Sequence, residues 1–301
     1  MATDPRVAAE PSRTASLTGA DAAAVRALAQ AAEEVDGIEA LSEQTLLNLE
    51  GAERHLTHLL TRAPSGQVVG YAQHDSATAS AELAVHPGSR RQGIGGQLLD
   101  AVLDIAPGSP AVWAHGDLLA AQALARSRQL RRVRDLWVMT AAPPTAAPEM
   151  PHVEGLRVRT FEVGRDEDAW LAVNALAFAD HPEQGRLTRA DLEQREAQPW
   201  FDPDVFYLAE DVNTGELLGS LWVKIEGNPG HAVGEIYALG VHPQAQGRGV
   251  GGLLTAHAMA AFAAHDLARI ELYVEGENAP AIRTYTRAGF TRERADVQYA
   301  R

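Results

Sequence analysis

A stretch of sequence occurs twice in this chain, and this repeat limits what the chain can fold into more than any other feature. The clearer copy, residues 234–254, reads GEIYALGVHPQAQGRGVGGLL, and the weaker copy, residues 81–99, reads AELAVHPGSRRQGIGGQLL. Val85 corresponds to Val241, 156 residues further on. Each copy reads as an apolar strand that passes through a glycine-rich turn into a helix. The chain of 301 residues is therefore expected to be a duplication with two domains.

The order of predicted helices and strands is similar in the two halves. In each half, helical periodicity is followed by several strand-like runs, the glycine turn, a helix, a strand, a second helix and a last strand. This order predicts an α+β fold, with a mixed, mostly antiparallel sheet flanked by helices in each domain. Residues 141–151 contain four prolines and have no periodicity, which is typical of a linker. We expect domains at 1–141 and 153–301, joined by a proline-rich linker at 142–152.

Composition excludes several classes of function. The formal net charge of −14 argues against nucleic acid or an anionic membrane as a partner, and favours cationic small molecules. The chain has no cysteine, so disulfides, thiolate metal sites and cysteine nucleophiles are excluded, and no metal site is expected. No apolar run is long enough to span a membrane, and the first residues carry Asp4 without an apolar segment behind it. We expect a loose N-terminal tail and a cytoplasmic monomer.

The glycine turns have the features of an anion site. Glycine permits positive φ and close backbone approach, and the free N–H groups at the start of a helix attract negative charge. An isolated Gly-x-Gly can equally be a plain entry turn into a helix. Here it follows a strand and Val-His-Pro and precedes an amphipathic helix, twice in one chain. Phosphate or pyrophosphate binding is therefore predicted for both copies. A Walker loop is excluded because no Gly-Lys-Ser/Thr follows.

The two turns resemble the acyl-coenzyme A signature Arg/Gln-x-x-Gly-x-Gly/Ala of the GCN5-related N-acetyltransferase (GNAT) superfamily. Arg90, Gly93 and Gly95 fit it in the first half, and Gln246, Gly249 and Gly251 in the second. The resemblance implies that acetyl-CoA is the cosubstrate, with one molecule for each domain. The residues that it implies as coenzyme contacts are Leu83, Ala84, Val85, Arg91, Gln92, Gly93, Ile94, Gly95 and Gly96, then Leu239, Gly240, Val241, Gln246, Gly247, Arg248, Gly249, Val250, Gly251 and Gly252, and finally Asn278, Ala279, Pro280, Ala281, Ile282 and Arg283.

Acetyl transfer to an amine needs a group that takes a proton from the ammonium, a donor to the developing oxyanion and an acid for the departing thiolate. Glu235, on the strand before the second turn, could accept the proton. The segment 278–290 resembles the superfamily's Asn-x-x-Ala-x-x-x-Tyr-x-x-x-Gly-Phe, which implies Tyr285 as the general acid. A backbone N–H near Leu239 is the expected oxyanion donor. A solvated carboxylate and a packed aromatic ring are the alternative interpretations of these two side chains.

The first half lacks both catalytic side chains. Counting by the constant offset of the repeat, Ala79 stands in place of Glu235. On the aligned helix Ala125 stands in place of the tyrosine, and Gln129 and Leu130 replace Gly-Phe. We therefore expect a catalytic second domain and a first domain that is non-catalytic but can still bind acetyl-CoA.

The rest of the sequence resembles the branch of the superfamily that acetylates cysteinyl-glucosaminyl-inositol and so produces mycothiol. The segments that carry this resemblance are 35–37, 113–116, 181–185, 200–203, 234–237 and 272–275. It implies that the substrate contacts are Asp36, Glu183, Lys224, Glu235 and Tyr273. Lys224 is the single lysine of the chain. Because Asp36 comes from the first half, the substrate would bind across the domains.

The substrate's α-ammonium, with an ordinary pKa of about 8, suits nearby carboxylates. A lone loop histidine such as His181 is expected to be structural rather than a metal ligand. Two alternatives stay open from the sequence: an acetyltransferase for another amine, such as an aminoglycoside or a protein N-terminus, and a non-catalytic coenzyme A sensor.

Overall fold

In the computed structural model, the described part of the chain is residues 10–50, 54–106, 108, 110–179 and 181–301, with only the backbone given for Pro182 and Glu183. The first residues, where a loose tail was expected, lie outside it. The chain forms two compact units. Unit 1 contains the residues up to Asp135 together with Ala295–Arg301, and unit 2 contains Leu136–Arg294. No helix among the described residues is long and apolar enough to cross a membrane.

The helices of unit 1 begin and end where local chemistry requires. The first of them, α1 (Gly19–Asp36), starts after Thr18, whose side chain accepts a hydrogen bond from the Asp21 amide, and stops at Gly37 with φ of 69°. Its apolar residues recur at helical spacing and pack on the sheet. The other helices of unit 1 are α2 (Glu43–Leu47), α3 (Ile94–Ile105) and α4 (Leu119–Ser127).

The sheet of unit 1 has the strand order β1-β2-β3-β4-β5, and the end of β12 lies beside β5. The pair β4–β5 is parallel and the other pairs are antiparallel. Helix α3 packs on one face and α1 on the other, so the sheet has an apolar core on each side. Its strands are β1 (Ser12–Thr14), β2 (Leu56–Arg62), β3 (Val68–Asp75), β4 (Ser80–Val85) and β5 (Ala111–Ala114).

Unit 2 repeats this plan with the strand order β6-β11-β10-β9-β8-β7, in which only β10–β11 is parallel. Its strands are β6 (Arg131–Ala141), which begins in unit 1, β7 (Leu156–Thr160), β8 (Phe206–Asp211), β9 (Leu217–Glu226), β10 (Ala232–Val241), β11 (Leu267–Glu275) and β12 (Thr291–Ala300). Its helices are α5 (Glu167–Ala177), α6 (Pro182–Gly185), α7 (Arg189–Glu196), α8 (Val250–Ala263) and α9 (Ala279–Arg287).

The two faces of the unit 2 sheet differ in character. Helix α8 covers one face with a continuous apolar core that includes Phe262, Ile236 and Leu272. The opposite face carries an aromatic cluster around Trp170 and Trp222, both fully buried. The α+β class predicted from the sequence is confirmed for both units. Polar side chains of β9, β10 and β11 share the aromatic face, and Glu235 is one of them.

Each unit includes a strand segment from the other half of the sequence. Residues 136–141 of β6 pair with β11 in unit 2. Residues 297–299 of β12 pair with β5 in unit 1. The domain limits expected from the sequence, 1–141 and 153–301, follow chain order and stay a prediction, because the compact units do not divide in chain order.

Candidate active site

The glycine turn of unit 2 forms a cradle of backbone N–H groups. After β10, the Nδ1 atom of His242 accepts a hydrogen bond from the Gln244 amide at 3.2 Å and thereby caps a short 3-10 turn. Gly247 and Gly249 then have φ of 77° and 89°, in the left-handed region that favours glycine. Helix α8 starts at Val250, and no side chain of the described residues caps its first turn. The first-turn N–H groups are therefore available to an anion.

The turn of unit 1 has the same geometry. His86 Nδ1 accepts from the Gly88 amide at 3.2 Å, and Gly93, with φ of 86°, precedes α3. The position of Gly247 is taken by Arg91, which keeps φ of 65° without being glycine. A non-glycine residue in this region is strained by about 1–2 kcal/mol. The conserved backbone path supports the interpretation of both turns as anion cradles.

The cation of the unit 1 signature is already paired. The Arg90 guanidinium donates to both carboxylate oxygens of Asp36 at 2.7 Å, and its Nε donates to the Val85 carbonyl at 3.2 Å. The hydrogen bond to Asp36 raises the pKa of Arg90 above its ordinary value. Asp36, expected to contact substrate, therefore also holds the first cradle against the end of α1.

The parallel strands of each unit separate beyond their first paired residues, and this leaves one strand edge open beside each cradle. In unit 2, β10 pairs with β11 only as far as Ile236, opposite Leu272. In unit 1, β4 pairs with β5 only at Ser80 and Ala81. The edge from Leu239 to Val241 therefore lacks a β11 partner among the described residues. An open edge of this kind can form backbone hydrogen bonds with an extended amide-bearing arm, as pantetheine is.

A β-bulge in β10 determines where Glu235 lies. Ile236 is opposite Val223 and Ala238 is opposite Trp222, so the register shifts between them and Tyr237 is the extra residue of the bulge. As a result Glu235 is directly beside Lys224 on β9 and Glu271 on β11. The half-buried Glu235 therefore shares one sheet face with a cation on one side and a carboxylate on the other.

The bulge also corrects the internal alignment. The β3–β4 ladder runs from Gly70 to Asp75 without a register shift, so unit 1 has no residue equivalent to Tyr237. When the strand pairs of the two units are matched from Val85 and Val241 backwards, the counterpart of Glu235 is Ser80. The constant offset of the sequence repeat, which gave Ala79, is therefore wrong by one residue. Ser80, like alanine, offers no carboxylate. The first unit therefore still lacks the side chain expected to take the proton.

Tyr285 lies on α9 and packs in the core beside Phe290, with the ring centroids 6.2 Å apart. The Phe290 amide donates to the Tyr285 carbonyl at 3.0 Å, and in unit 1 the Leu130 amide donates to the Ala125 carbonyl at 3.0 Å. These matching helix ends confirm that Ala125 occupies the tyrosine's place. Burial raises the pKa of Tyr285, and no described residue forms a hydrogen bond with its hydroxyl. The phenol is therefore kept in its protonated form, which a general acid requires.

The remaining predicted substrate residues have different surroundings. Lys224 Nζ lies 4.9 Å from the centre of the Trp200 ring and 2.9 Å from Glu226. Tyr273, on the next strand beyond Glu235, accepts a long hydrogen bond of 3.5 Å from Arg294. The structure brings Lys224, Glu235 and Tyr273 to one face of one sheet. The backbone of Glu183 belongs to α6, but its side chain lies outside the described part of the chain.

The structure also shows the surroundings of Asn278 and His181. Asn278, expected to contact the coenzyme, caps α9 by accepting a hydrogen bond from the Ala281 amide at 3.2 Å. His181 lies 3.6 Å from Glu275 and stacks edgewise on Phe178. Within the described residues, no group of three or more His, Asp or Glu side chains is arranged to hold a metal ion.

In unit 1, a buried ion cluster lies where the parallel strands separate. His115 Nδ1 is 3.2 Å from Asp296, and its Nε2 is 3.4 Å from Glu82. Ser42 donates to Glu82 from its hydroxyl at 2.6 Å and from its amide at 2.7 Å. Burial opposes the charged form of His115, but the hydrogen bond to Asp296 and the charges of the Asp296 and Glu82 carboxylates outweigh it and raise its pKa to about 10. We call Glu82, His115 and Asp296 the ion triad; it joins β4, the end of β5 and β12.

Sequence reasoning missed several of these residues. His86 and His242 cap the turns, and the repeated Val-His-Pro was the signal that could have shown their role. The aromatic side chains around Lys224, chiefly Trp200 and Tyr237, had no periodic signal because they come from a loop and a bulge. Arg195, which is 6% exposed and donates to the Tyr237 hydroxyl at 2.8 Å, lies among other charged residues in the sequence, so no pattern marks it as buried.

The comparisons with known proteins agree with this geometry. The Acetyltransferase (GNAT) family profile matches residues 170–290, and an Acetyltransferase (GNAT) domain profile matches residues 53–130. Among solved structures, a GCN5-related N-acetyltransferase from Sphaerobacter thermophilus is 25% identical with a TM-score of 0.70, covering 98% of this chain and 96% of that one. A tandem GNAT protein from the clavulanic acid biosynthesis pathway has the same fold, at 19% identity and a TM-score of 0.71, with 97% of each chain covered.

The sequence relatives are closer. A mycothiol acetyltransferase of Sanguibacter keddieii is 50% identical, covering 96% of this chain and 95% of that one. A mycothiol acetyltransferase of Thermobispora bispora is 46% identical, covering 94% of this chain and 97% of that one. Both matches extend over nearly the whole of both chains. The chain belongs to the mycothiol acetyltransferase family, within the GNAT superfamily.

Proposed function

We propose that this chain transfers the acetyl group of acetyl-CoA to the cysteinyl amine of 1D-myo-inositol 2-(L-cysteinylamino)-2-deoxy-α-D-glucopyranoside, the last step of mycothiol biosynthesis. Family membership makes it an acetyl-CoA-dependent acyltransferase. The observation that carries the substrate assignment is the near full-length likeness to chains named mycothiol acetyltransferase. The placement of Lys224, Glu235 and Tyr273 on one sheet face supports it.

Two neighbouring features of unit 2, one on β10 and one on α8, can bind acetyl-CoA. The uncapped first turn of α8 offers N–H groups to a pyrophosphate, and the open edge of β10 offers backbone groups to the pantetheine arm. When bound there, acetyl-CoA supplies the activated acetyl group. The Leu239 amide is our candidate for the donor to the acetyl oxygen as negative charge develops on it.

Two side chains are assigned the proton transfers. Glu235 accepts the proton from the substrate ammonium at a carboxylate oxygen, directly or through a water, and Lys224 beside it stabilises the carboxylate charge. Tyr285 donates its phenolic proton to the departing sulfur. The phenol is protonated at neutral pH and therefore carries the proton that this step needs.

Substrate recognition is assigned to Asp36, Glu183, Lys224, Glu235 and Tyr273. Carboxylates suit the ammonium, while Lys224 and Tyr273 suit the sugar and inositol hydroxyls. The half-buried position of Lys224 over an aromatic ring gives it a fixed place from which to donate.

The cradle of unit 1 is proposed to bind acetyl-CoA without turning it over. It keeps the backbone path of the cradle, but Ser80 and Ala125 replace the two catalytic side chains. Isothermal calorimetry should therefore find two acetyl-CoA sites in each chain. A single site that disappears when only the unit 2 cradle is altered would contradict this assignment.

The function is tested by mass spectrometry of the acetylated product together with thiol release from acetyl-CoA over a panel of amines. We expect turnover with cysteinyl-glucosaminyl-inositol and an added acetyl group on its amine. Turnover only with an aminoglycoside or a peptide N-terminus would replace the substrate assignment. No turnover with any amine would favour a coenzyme A sensor. A monomeric chain acting in the cytoplasm completes the proposal, and sedimentation would check the monomer.

A further inference from the structure

The bulge at Tyr237 needs a restraint, because a β-strand with an extra residue can return to regular pairing by shifting its register. In unit 2 such a shift would move Glu235 away from its place beside Lys224 and Glu271. It would also turn alternate side chains of the strand to the opposite face. Contacts made by the side chain of Tyr237 can therefore hold the bulge in place.

Helix α7 supplies such a restraint through one arginine. Arg195 is a buried cation, 6% exposed, whose Nε donates a hydrogen bond of 2.8 Å to the Tyr237 hydroxyl. Its Nη1 donates to the Asp191 carbonyl at 3.0 Å, one turn back in α7. A buried guanidinium is costly unless its donors are satisfied, so this side chain has few alternative positions. The hydroxyl of Tyr237 is therefore held by a hydrogen bond to α7.

The half-buried ring of Tyr237 contacts two tryptophans and a lysine. The Trp200 and Trp222 rings have centroids 5.1 Å from it, and Lys224 Nζ lies 5.9 Å from its centre. Tyr237 thus contacts the arginine through its hydroxyl and the substrate-side lysine through its ring. The position of the bulge and the position of Lys224 are linked through this one side chain.

The comparison between the two units supports a role in the reaction. The unit that carries Glu235 and Tyr285 also carries the bulge, whereas the β3–β4 ladder of unit 1 has no register shift and no equivalent of Tyr237. The bulge is present only in the unit that retains the catalytic side chains. A restraint on the bulge can therefore position a catalytic side chain in unit 2, whereas unit 1 has no such side chain to position.

We propose that Arg195 is a positioning residue for acetyl transfer: it holds Tyr237, and through the bulge it keeps Glu235 beside Lys224. The inference rests on the proposed function, because it concerns the same site. Arg195 acts through Tyr237, and no contact between Arg195 and either substrate is required.

The test compares Arg195→Met, Arg195→Lys, Tyr237→Phe and the double variant Arg195→Met/Tyr237→Phe in the full chain. Arg195→Met and Tyr237→Phe should each lower kcat by about 10- to 100-fold, as a small misplacement of a catalytic group does, with KM for acetyl-CoA within about twofold. Arg195→Lys should keep more activity than Arg195→Met, since an ammonium can still donate to the hydroxyl. The double variant should be no slower than the slower single variant.

Arg189→Met is the matched control, because it removes an arginine from the exposed side of the same helix, where Arg189 pairs with Asp168 and Glu193. It should leave kcat unchanged. If Arg195→Met does not fold, Tyr237→Phe still tests the restraint, since it removes only an oxygen atom. Multiplied effects in the double variant, or wild-type kcat in Tyr237→Phe, would overturn the inference.

A readout that does not depend on turnover separates this inference from the proposed function. Amide hydrogen exchange over 234–241 should be faster in Arg195→Met and in Tyr237→Phe than in wild type, and unchanged in Arg189→Met. If the wild-type chain does not acetylate cysteinyl-glucosaminyl-inositol, the function fails while the exchange result still decides whether Arg195 holds the bulge. Unchanged exchange in both variants would show that it does not.

Discussion

Tyr285 is the side chain whose environment bears most directly on its role. It is buried in the core of unit 2, and burial raises its pKa, so the phenol stays protonated through the neutral range. We expect Tyr285→Phe to lower kcat by about 100-fold or more while the affinity for acetyl-CoA stays within about twofold. Steady-state kinetics and calorimetry on the same preparation measure the two quantities. A wild-type kcat would reduce Tyr285 to a packing residue.

Glu235 is expected to control how the rate depends on pH, because it takes the proton from the substrate ammonium. Without this base, only substrate that is already a neutral amine can react, and an α-ammonium has an ordinary pKa of about 8. Glu235→Gln should therefore lower kcat and make the rate rise more steeply towards alkaline pH. The control is Glu271→Gln, which changes the neighbouring carboxylate on β11 but should keep the wild-type profile. An unchanged profile in Glu235→Gln would exclude it as the base.

At the scale of single elements, the cradle of unit 2 depends on backbone that L-residues rarely adopt. Gly249 has φ of 89° directly before α8. Gly249→Ala should cost about 1–2 kcal/mol of stability and tilt the first-turn N–H groups. KM for acetyl-CoA should then rise about tenfold, equivalent to about 1.4 kcal/mol.

Gly215, in the turn between β8 and β9, provides the control for this change. It also has positive φ, 71°, and an added Cβ would meet nothing within 4 Å. Gly215→Ala should therefore lower the melting temperature by a similar amount but leave KM for acetyl-CoA unchanged. Equal KM values in the two variants would mean that the cradle does not bind the coenzyme.

The ion triad of unit 1 predicts a pH-dependent stability. The pKa of His115 is raised to about 10 in the folded chain, against about 6.5 when unfolded. Its contribution is therefore complete below about pH 6.5 and is lost as the pH rises towards 10. The pKa of Glu82 is lowered by His115 and Ser42 in spite of burial, so its contribution is lost in acid instead.

His115→Asn should destabilise unit 1 by about 3–5 kcal/mol at neutral pH, because it leaves two buried carboxylates without their cation. Thermal unfolding followed between pH 6 and 10 should show the wild-type advantage shrinking as the pH rises. A constant difference across this range would show that the imidazole is not charged in the folded chain. His152→Asn, at an exposed position, serves as a control for loss of a histidine.

The repeat and its periodicity were enough to predict nearly every element, because helices and strands in this chain carry strong local patterns. The strand predicted at the start of the second copy, for example, is observed as β10 (Ala232–Val241). The bulge at Tyr237 was not predictable, because residues 236–239 are all apolar and the sequence does not show where the alternation between the two faces changes phase. The substrate set was predicted by resemblance, and the partners that hold it, such as Arg195, depend on tertiary contacts between elements far apart in sequence.

For the whole molecule, the exchanged strand segments predict that removing a few C-terminal residues damages the first unit. Residues 297–299 pair with β5, Asp296 belongs to the ion triad, and the Tyr299 hydroxyl donates to Asp117 at 2.6 Å. A chain that ends at residue 294 should show faster hydrogen exchange over 80–116 than over 217–241. A chain that ends at residue 300 is the control and should behave as wild type. Equal protection of 80–116 in both would contradict the structural role of the exchanged strand.

This arrangement also has a consequence for how the chain is made. A ribosome delivers residues 295–301 only after all of unit 2, so unit 1 emerges first and yet is completed last. Until then, β5 lacks its pairing with β12, and His115 lacks its ion pair with Asp296. Stalled or shortened translation products would therefore carry an unfinished first unit with an open strand edge, which is the feature that proteases and aggregation act on.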